Sequence, residues 1–168
     1  MSEAGIVIRR ARPEDGERVA AMVLALARHE GKSSSQMTGE AFRRSGFGRR
    51  ARFSTLVAEA GGGLQGYAIF MPVFSVAEAK PGCYLDDLYV EPDWRSRNLG
   101  RLLMQRLARD CVKRGAHYIM WNVRLGNAGA VAFYDRIGAV KTDLNCRWVH
   151  GAAFDRLAGT PPPQPAPA

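Results

Sequence analysis

The stretch Cys83–Leu103, CYLDDLYVEPDWRSRNLGRLL, constrains the fold more than any other part of the chain. An apolar segment with the composition of a buried strand runs from Cys83 to Val90 and carries two adjacent carboxylates, Asp86 and Asp87. Pro92 ends it, because proline has no amide to give a strand ladder. Arg95, Ser96, Arg97, Asn98, Leu99 and Gly100 then lead into the amphipathic run Arg101–Arg114. A strand, a polar loop and a helix in this order aim free amide groups at one point. The helix dipole adds partial positive charge there, which suits a diphosphate. Gly100 permits close approach of a ligand, and Asn98 tolerates a left-handed backbone.

Neither common nucleotide loop matches. Gly31-Lys32-Ser33 imitates the end of a P-loop, but Leu26 stands at the position of its first glycine and a helical pattern precedes it. A dinucleotide fingerprint needs three spaced glycines, and the loop contains only Gly100. What the loop resembles is the acyl-CoA pyrophosphate loop of the GNAT-superfamily N-acetyltransferases, Arg/Gln-x-x-Gly-x-Gly/Ala. Arg95, Asn98 and Gly100 fall on its marked positions, with Asn98 where glycine is usual.

A second segment agrees. NAGAVAFYDRIG, Asn127–Gly138, resembles the superfamily motif in which an asparagine opens a helix and a Phe-Tyr pair precedes a closing glycine. Asn127 is a good helix cap on physical grounds alone. Phe133 is expected to pack in the core, and Tyr134 to turn its hydroxyl into a cleft. Further stretches narrow the resemblance to the spermidine/spermine N-acetyltransferase-like subfamily, among them Leu26-Ala27-Arg28-His29-Glu30, Ser45-Gly46-Phe47-Gly48 and Tyr84-Leu85-Asp86-Asp87-Leu88-Tyr89-Val90. Its members acetylate polyamines or lysine analogues and are typically homodimers. That subfamily usually has Glu-Asp where this chain has Asp86-Asp87.

Periodicity gives a first strand at Ile6–Arg10, a helix from Pro13 to about Arg28 and a short helix Thr38–Ser45 capped by Thr38. Ser54–Ala60 and Gly66–Val73 read as a hairpin around Gly61-Gly62-Gly63. The pattern continues with the strand Cys83–Val90, the helix Gly100–Arg114, a strand Tyr118–Val123 after Gly115, and a helix Ala128–Ile137. A final strand pair is expected at Ala139–Asp143 and Cys146–His150. The fold class is therefore α/β (α+β), a mixed sheet flanked by helices. The order is that of the GNAT fold, whose middle parallel strands, here Cys83–Val90 and Tyr118–Val123, splay to admit the acyl-CoA arm. Residues 1–158 are expected to form one domain and 159–168, rich in proline, a disordered tail.

Composition excludes several alternatives. No apolar run spans a membrane, and the N-terminus lacks the apolar centre of a signal peptide, so a cytoplasmic location is expected. Cys83, Cys111 and Cys146 are odd in number and widely spaced, which predicts reduced thiols. His29, His117 and His150 form no ligand spacing, so no metal is expected. The net charge is +8. Arg43, Arg44, Arg49, Arg50 and Arg52 read as a solvated surface. Arg95, Arg97, Arg101, Arg106 and Arg109 surround the phosphate loop and would attract an anionic cofactor. No nucleic-acid motif or aromatic interleaving accompanies them, so no nucleic acid is expected.

The reaction implied by the resemblance is attack of an amine on the thioester of acetyl-CoA. An alkyl ammonium, with a pKa near ~10.4, must first lose a proton. Asp86 is the first candidate base and Asp87 the second. Strand alternation puts them on opposite faces unless a bulge intervenes, so one is expected to face the cleft. By resemblance, Leu88, Tyr89 and Val90 lie along the pantetheine and supply an oxyanion donor. Arg95, Ser96, Arg97, Asn98, Leu99, Gly100 and Arg101 hold the pyrophosphate. Asn127, Phe133 and Tyr134 complete the cofactor set, with Tyr134 as the acid that protonates the thiolate. Glu30, Asp86, Asp87, Glu91 and Asp93 could form an acidic acceptor pocket, and Trp121 could line it. A small primary amine (a polyamine, a diamine or a lysine-like amine) is the expected acceptor. A protein acetyltransferase and a non-catalytic acyl-CoA-binding protein are the alternatives; the segment His29–Phe53 looks able to cover the cleft against the first.

Overall fold

The computed structural model describes residues 5–124, 126–143, 149, 153, 157 and 158. Two compact units divide the chain, Met1–Ala128 and Gly129–Ala168.

The first unit is a five-stranded sheet in the order β1-β2-β3-β4-β5. Its strands are β1 (Val7–Arg10), β2 (Ser54–Ala60), β3 (Gly63–Ser75), β4 (Lys80–Val90) and β5 (Ile119–Met120). β1 to β4 are antiparallel; β5 joins β4 in parallel through Cys83↔Ile119 and Tyr84↔Met120. The β2–β3 turn holds Gly61 and Gly62 at φ 58° and 79°, a conformation that glycine adopts without cost.

Helices cover both faces. A 3-10 turn, Pro13–Asp15, precedes α1 (Gly16–His29), and α2 (Gly39–Gly46) starts at Thr38, whose hydroxyl accepts from Ala41 N–H at 3.1 Å. Val19 and Met22 of α1 and Phe42 of α2 are fully buried against Val57, Tyr67 and Ile69 of the sheet. Strand alternation sends Gly66, Ala68 and Phe70 to the opposite face. There α3 (Leu99–Val112) buries Leu99, Leu103 and Leu107. A Cβ on Gly66 would stand 2.7 Å from the Tyr89 carbonyl, so β3 and β4 pack too closely there for a side chain.

Three expectations change. The strand expected at Tyr118–Val123 is only two residues long, because β4 and β5 diverge after Tyr84 and no ladder remains to extend it. Ala139–Asp143 forms no strand; its expected partner Cys146–His150 lies outside the described residues apart from Val149, as does the proline-rich tail. The cysteines are not all reduced. The start of β4 and the end of α3 bring Cys83 and Cys111 to a Cα–Cα distance of 6.6 Å, and their sulfurs form a disulfide. A separation of 28 residues along the chain hides that proximity. Both are buried, as expected; Cys146 lies outside the described residues.

The second unit contains α4 (Ala128–Arg136), whose N-terminal residue belongs to the first unit. Gly138, at φ 87°, follows it. The Phe133 and Tyr134 rings meet at 5.3 Å. Both residues are half-buried, so Phe133 is less enclosed than a core position.

Candidate active site

The site begins with a bulge. Ile69 pairs with Asp87 and Phe70 with Leu85, so β4 spends one extra residue, Asp86, on a single step of β3. Unbroken alternation from Leu85 would send Asp87 toward α3. The inserted residue turns it toward α1 instead. There the Tyr67 hydroxyl donates to Asp87 Oδ2 at 3.1 Å, and the Tyr67 and Tyr89 rings stand 6.0 Å apart. Asp86 is exposed.

Asp87 opens into a pocket of about 250 Å³ between the C-terminal half of α1 and the segment that follows it. Val23, Leu26 and Ala27 form its apolar wall, and Glu30, Lys32, Ser34, Ser35 and Gln36 its polar one. Gly31, at φ 80°, lets the chain turn back at the end of α1. Part of the segment expected to cover the cleft thus forms one side of it.

Charge is mixed here. Burial pushes the Asp87 carboxyl up to about 6; the neighbouring Asp86 and Glu30 charges add to this, and the Tyr67 hydrogen bond and Lys32 oppose it. Partial desolvation raises Asp86 as well. The buried Tyr67 phenol is pushed far above its ordinary value by loss of water and by the Asp87 charge, so it remains a hydrogen-bond donor. Glu30 Oε2 receives two cations, Lys32 Nζ at 3.2 Å and Arg124 Nε at 3.3 Å.

Only part of the expected acidic set converges. Glu30 and Asp87 share the pocket. Glu91 instead accepts from Arg18 at 2.7 Å and from the Tyr89 hydroxyl at 2.9 Å, and Asp93 is exposed in the 3-10 turn Pro92–Trp94. Trp121 is half-buried just past β5 and is not among the pocket-lining residues. Lys32, Ser34, Ser35, Gln36 and Tyr67 were not singled out as site residues by sequence. Their signals, a polar run after a helix and a tyrosine inside a strand, are common in chains of any function.

The expected cofactor residues lie at the far end of β4. Past Tyr84 no described strand pairs with β4 on the β5 side, so Leu85–Val90 present a free edge. Ser96 and Asn98 have φ of 60° and 68°, and Asn98 O accepts the Leu102 N–H at 3.0 Å to begin α3. The first amides of a helix have no intrahelical acceptor. Arg95, Arg97 and Arg101 are exposed beside them. Arg95 Nε donates to Val90 O at 3.1 Å, and the Arg97 guanidinium lies 5.0 Å from the Trp94 ring centre. Arg106 belongs elsewhere: it bonds Asp110 and the Ile8 carbonyl. Leu99 is buried under the loop, and Gly100 is half-buried. Asn127 immediately precedes α4, as a cap would.

A bulged strand bearing a carboxylate, a splayed parallel pair and a phosphate-type loop occur here in one unit. Residues 23–139 match the model of the acetyltransferase (GNAT) family. The chain belongs to that family. Over 93% of this chain and 99% of the relative, it is 29% identical to a thialysine N-epsilon-acetyltransferase of Sus scrofa. It is 32% identical to an L-ornithine N5-acetyltransferase of Arabidopsis thaliana over 44% of this chain and 32% of that one. An integron cassette protein from the mobile metagenome of V. cholerae superposes with a TM-score of 0.80 at 20% identity, covering 93% of this chain and 99% of the other. The GNAT fold expected from sequence is the fold observed, and the chain is an N-acetyltransferase.

Proposed function

We propose that this GNAT enzyme transfers an acetyl group from acetyl-CoA directly to a primary amine of a small molecule, with Asp87 as the proton acceptor. The observation that carries this reading is the bulge at Asp86, which turns a carboxylate of raised pKa into a pocket sized for a small acceptor. The two relatives named for thialysine and L-ornithine support an amine acceptor of this scale.

The residues at the other end of β4 suit acetyl-CoA. The free edge Leu85–Val90 can receive amide hydrogen bonds from a pantetheine chain as if from an added strand. The left-handed Ser96 and Asn98, the first turn of α3, and Arg97 and Arg101 suit a diphosphate. Acetyl-CoA, when bound, supplies a thioester carbonyl and a thiolate leaving group. The chain supplies the rest. Asp87, ionised above about pH 6, takes the proton of the incoming ammonium, directly or through water. A backbone N–H within Leu88–Val90 steadies the oxyanion. Tyr134, assigned by its motif position, returns a proton to the thiolate.

Thiol release from acetyl-CoA, followed across diamines, polyamines, free amino acids and short peptides, tests the proposal. Turnover on small amines supports it. Turnover confined to peptides would replace it with protein acetylation. Acetyl-CoA binding without turnover on any acceptor would sink it in favour of a binding protein.

A further inference from the structure

Glu91 belongs to the acidic set expected at the acceptor, yet both of its carboxylate oxygens are engaged elsewhere. Oε1 accepts from Arg18 at 2.7 Å, and Oε2 accepts from the Tyr89 hydroxyl at 2.9 Å. The Glu91 side chain is 21% exposed, so water competes for these bonds less than at an open surface pair. Its backbone is engaged too. Glu91 N–H donates to Gln65 O at 2.9 Å, and Glu91 O accepts from Trp94 N–H at 2.9 Å in the 3-10 turn Pro92–Trp94. Arg18 also donates to Leu64 O, from Nε at 3.2 Å and Nη2 at 3.0 Å. One residue thus joins α1, β3, the end of β4 and the loop that follows.

That loop carries its cations on rings. Tyr89 is buried, and the Arg95 guanidinium lies 5.9 Å from its ring centre. A phenol that donates to a carboxylate passes electron density to its ring, which strengthens the attraction of the ring face for a cation. Burial, and then the Glu91 hydrogen bond, push the Tyr89 phenol up to about 12, so it stays a donor at neutral pH. Arg95 spends Nε on Val90 O, which keeps its terminal amino groups for a ligand. Arg97 repeats the device over Trp94. Trp94 in turn packs so closely on the β2–β3 turn that a Cβ on Gly61 would stand 2.7 Å from its ring. Glu91 is the one acid that ties the Tyr89–Arg95 half of this assembly to a helix.

Resting on the reading of this loop as the acetyl-CoA diphosphate site, we propose that Glu91 is a positioning residue for the cofactor. Through Tyr89 it holds Arg95 at the loop. Through Arg18 it fixes that assembly to α1, whose later turns wall the acceptor pocket. Glu91 acts through these residues and takes no part in the bond changes. Its removal leaves the cations of the loop in place but no longer aimed.

The test measures coenzyme A binding by calorimetry, which needs no acceptor, and turnover of acetyl-CoA with the best acceptor of the amine panel. Glu91→Ala should weaken coenzyme A about tenfold, a factor worth about 1.4 kcal/mol. The KM for acetyl-CoA should rise alike, while kcat and the acceptor KM stay within about twofold, as for an independent site. Tyr89→Phe removes only a hydroxyl and should weaken coenzyme A about threefold, within the net worth of one hydrogen bond. In an Arg95→Gln background, Glu91→Ala should cost no more than about twofold, because the group it aims has gone. Unchanged coenzyme A affinity in both Glu91→Ala and Tyr89→Phe would overturn the proposal. So would a Glu91→Ala loss undiminished in the Arg95→Gln background, or a fall in kcat with both KM values raised together. Each of these leaves the acetyl-CoA reading intact. A wild-type enzyme that does not bind coenzyme A would defeat the loop reading and this proposal together.

Discussion

Asp87 is half-buried and keeps its proton up to about pH 6. A base must be ionised to act, so kcat/KM should fall on the acid side, in a limb with a midpoint near that pH. Asp87→Asn should remove the limb and reduce kcat by about 10²–10⁴-fold, the usual worth of general-base catalysis. Stability should move the other way. The folded-state pKa lies above the ordinary 3.8, so the native protein holds the proton more tightly than the unfolded chain. Stability therefore falls as pH rises through about 6, and the ionised group is a burden above it. Asp87→Asn should raise Tm at pH 7.5 in a thermal scan while turnover collapses; a lower Tm would argue against the desolvation account. Tyr67→Phe removes the hydrogen bond that favours the Asp87 carboxylate. Its acid limb should shift to higher pH, a change that mere loosening of the fold would not produce.

At the level of elements, the disulfide and the bulge set what a sequence reading could reach. Cys83–Cys111 ties the start of β4 to the end of α3 and closes a loop with a sequence separation of 28. Loop-entropy arguments put its worth at roughly 3–4 kcal/mol. A reductant, or Cys111→Ser, should lower Tm measurably; no change would mean that the bridge adds nothing. Local features were legible because their causes are local: Thr38 as a cap, Gly61-Gly62 as a turn, Pro92 as the end of β4. The bulge was not, since two adjacent aspartates look the same whether or not a strand inserts a residue, and it is Asp87, the second candidate base, that the bulge turns into the pocket. Lys32 was noticed only as part of a failed P-loop. Its place in the pocket depends on how the chain turns after α1, which no periodicity records. The length of β5 was overread because Tyr118–Val123 is apolar throughout, whereas its pairing depends on how far β4 stays beside it.

At the scale of the whole molecule, the family fold fixes where a site can be and leaves its preferences to a handful of side chains. We propose, from the sequence resemblance, that the enzyme works as a homodimer. Light scattering behind size-exclusion chromatography should give about twice the 18.4 kDa of the chain, and a monomeric mass would contradict it. The unpaired stretch of β4 has a cost that is separate from its use. Among the described residues no strand pairs with Leu85–Val90 on that side, and, the Val90 carbonyl apart, which accepts from Arg95, this edge is a template on which foreign strands can grow. In the proposed complex the pantetheine arm covers that edge. Coenzyme A should then act as a guard against clumping, and a solution warmed with it should stay clear at temperatures where the unliganded protein turns turbid.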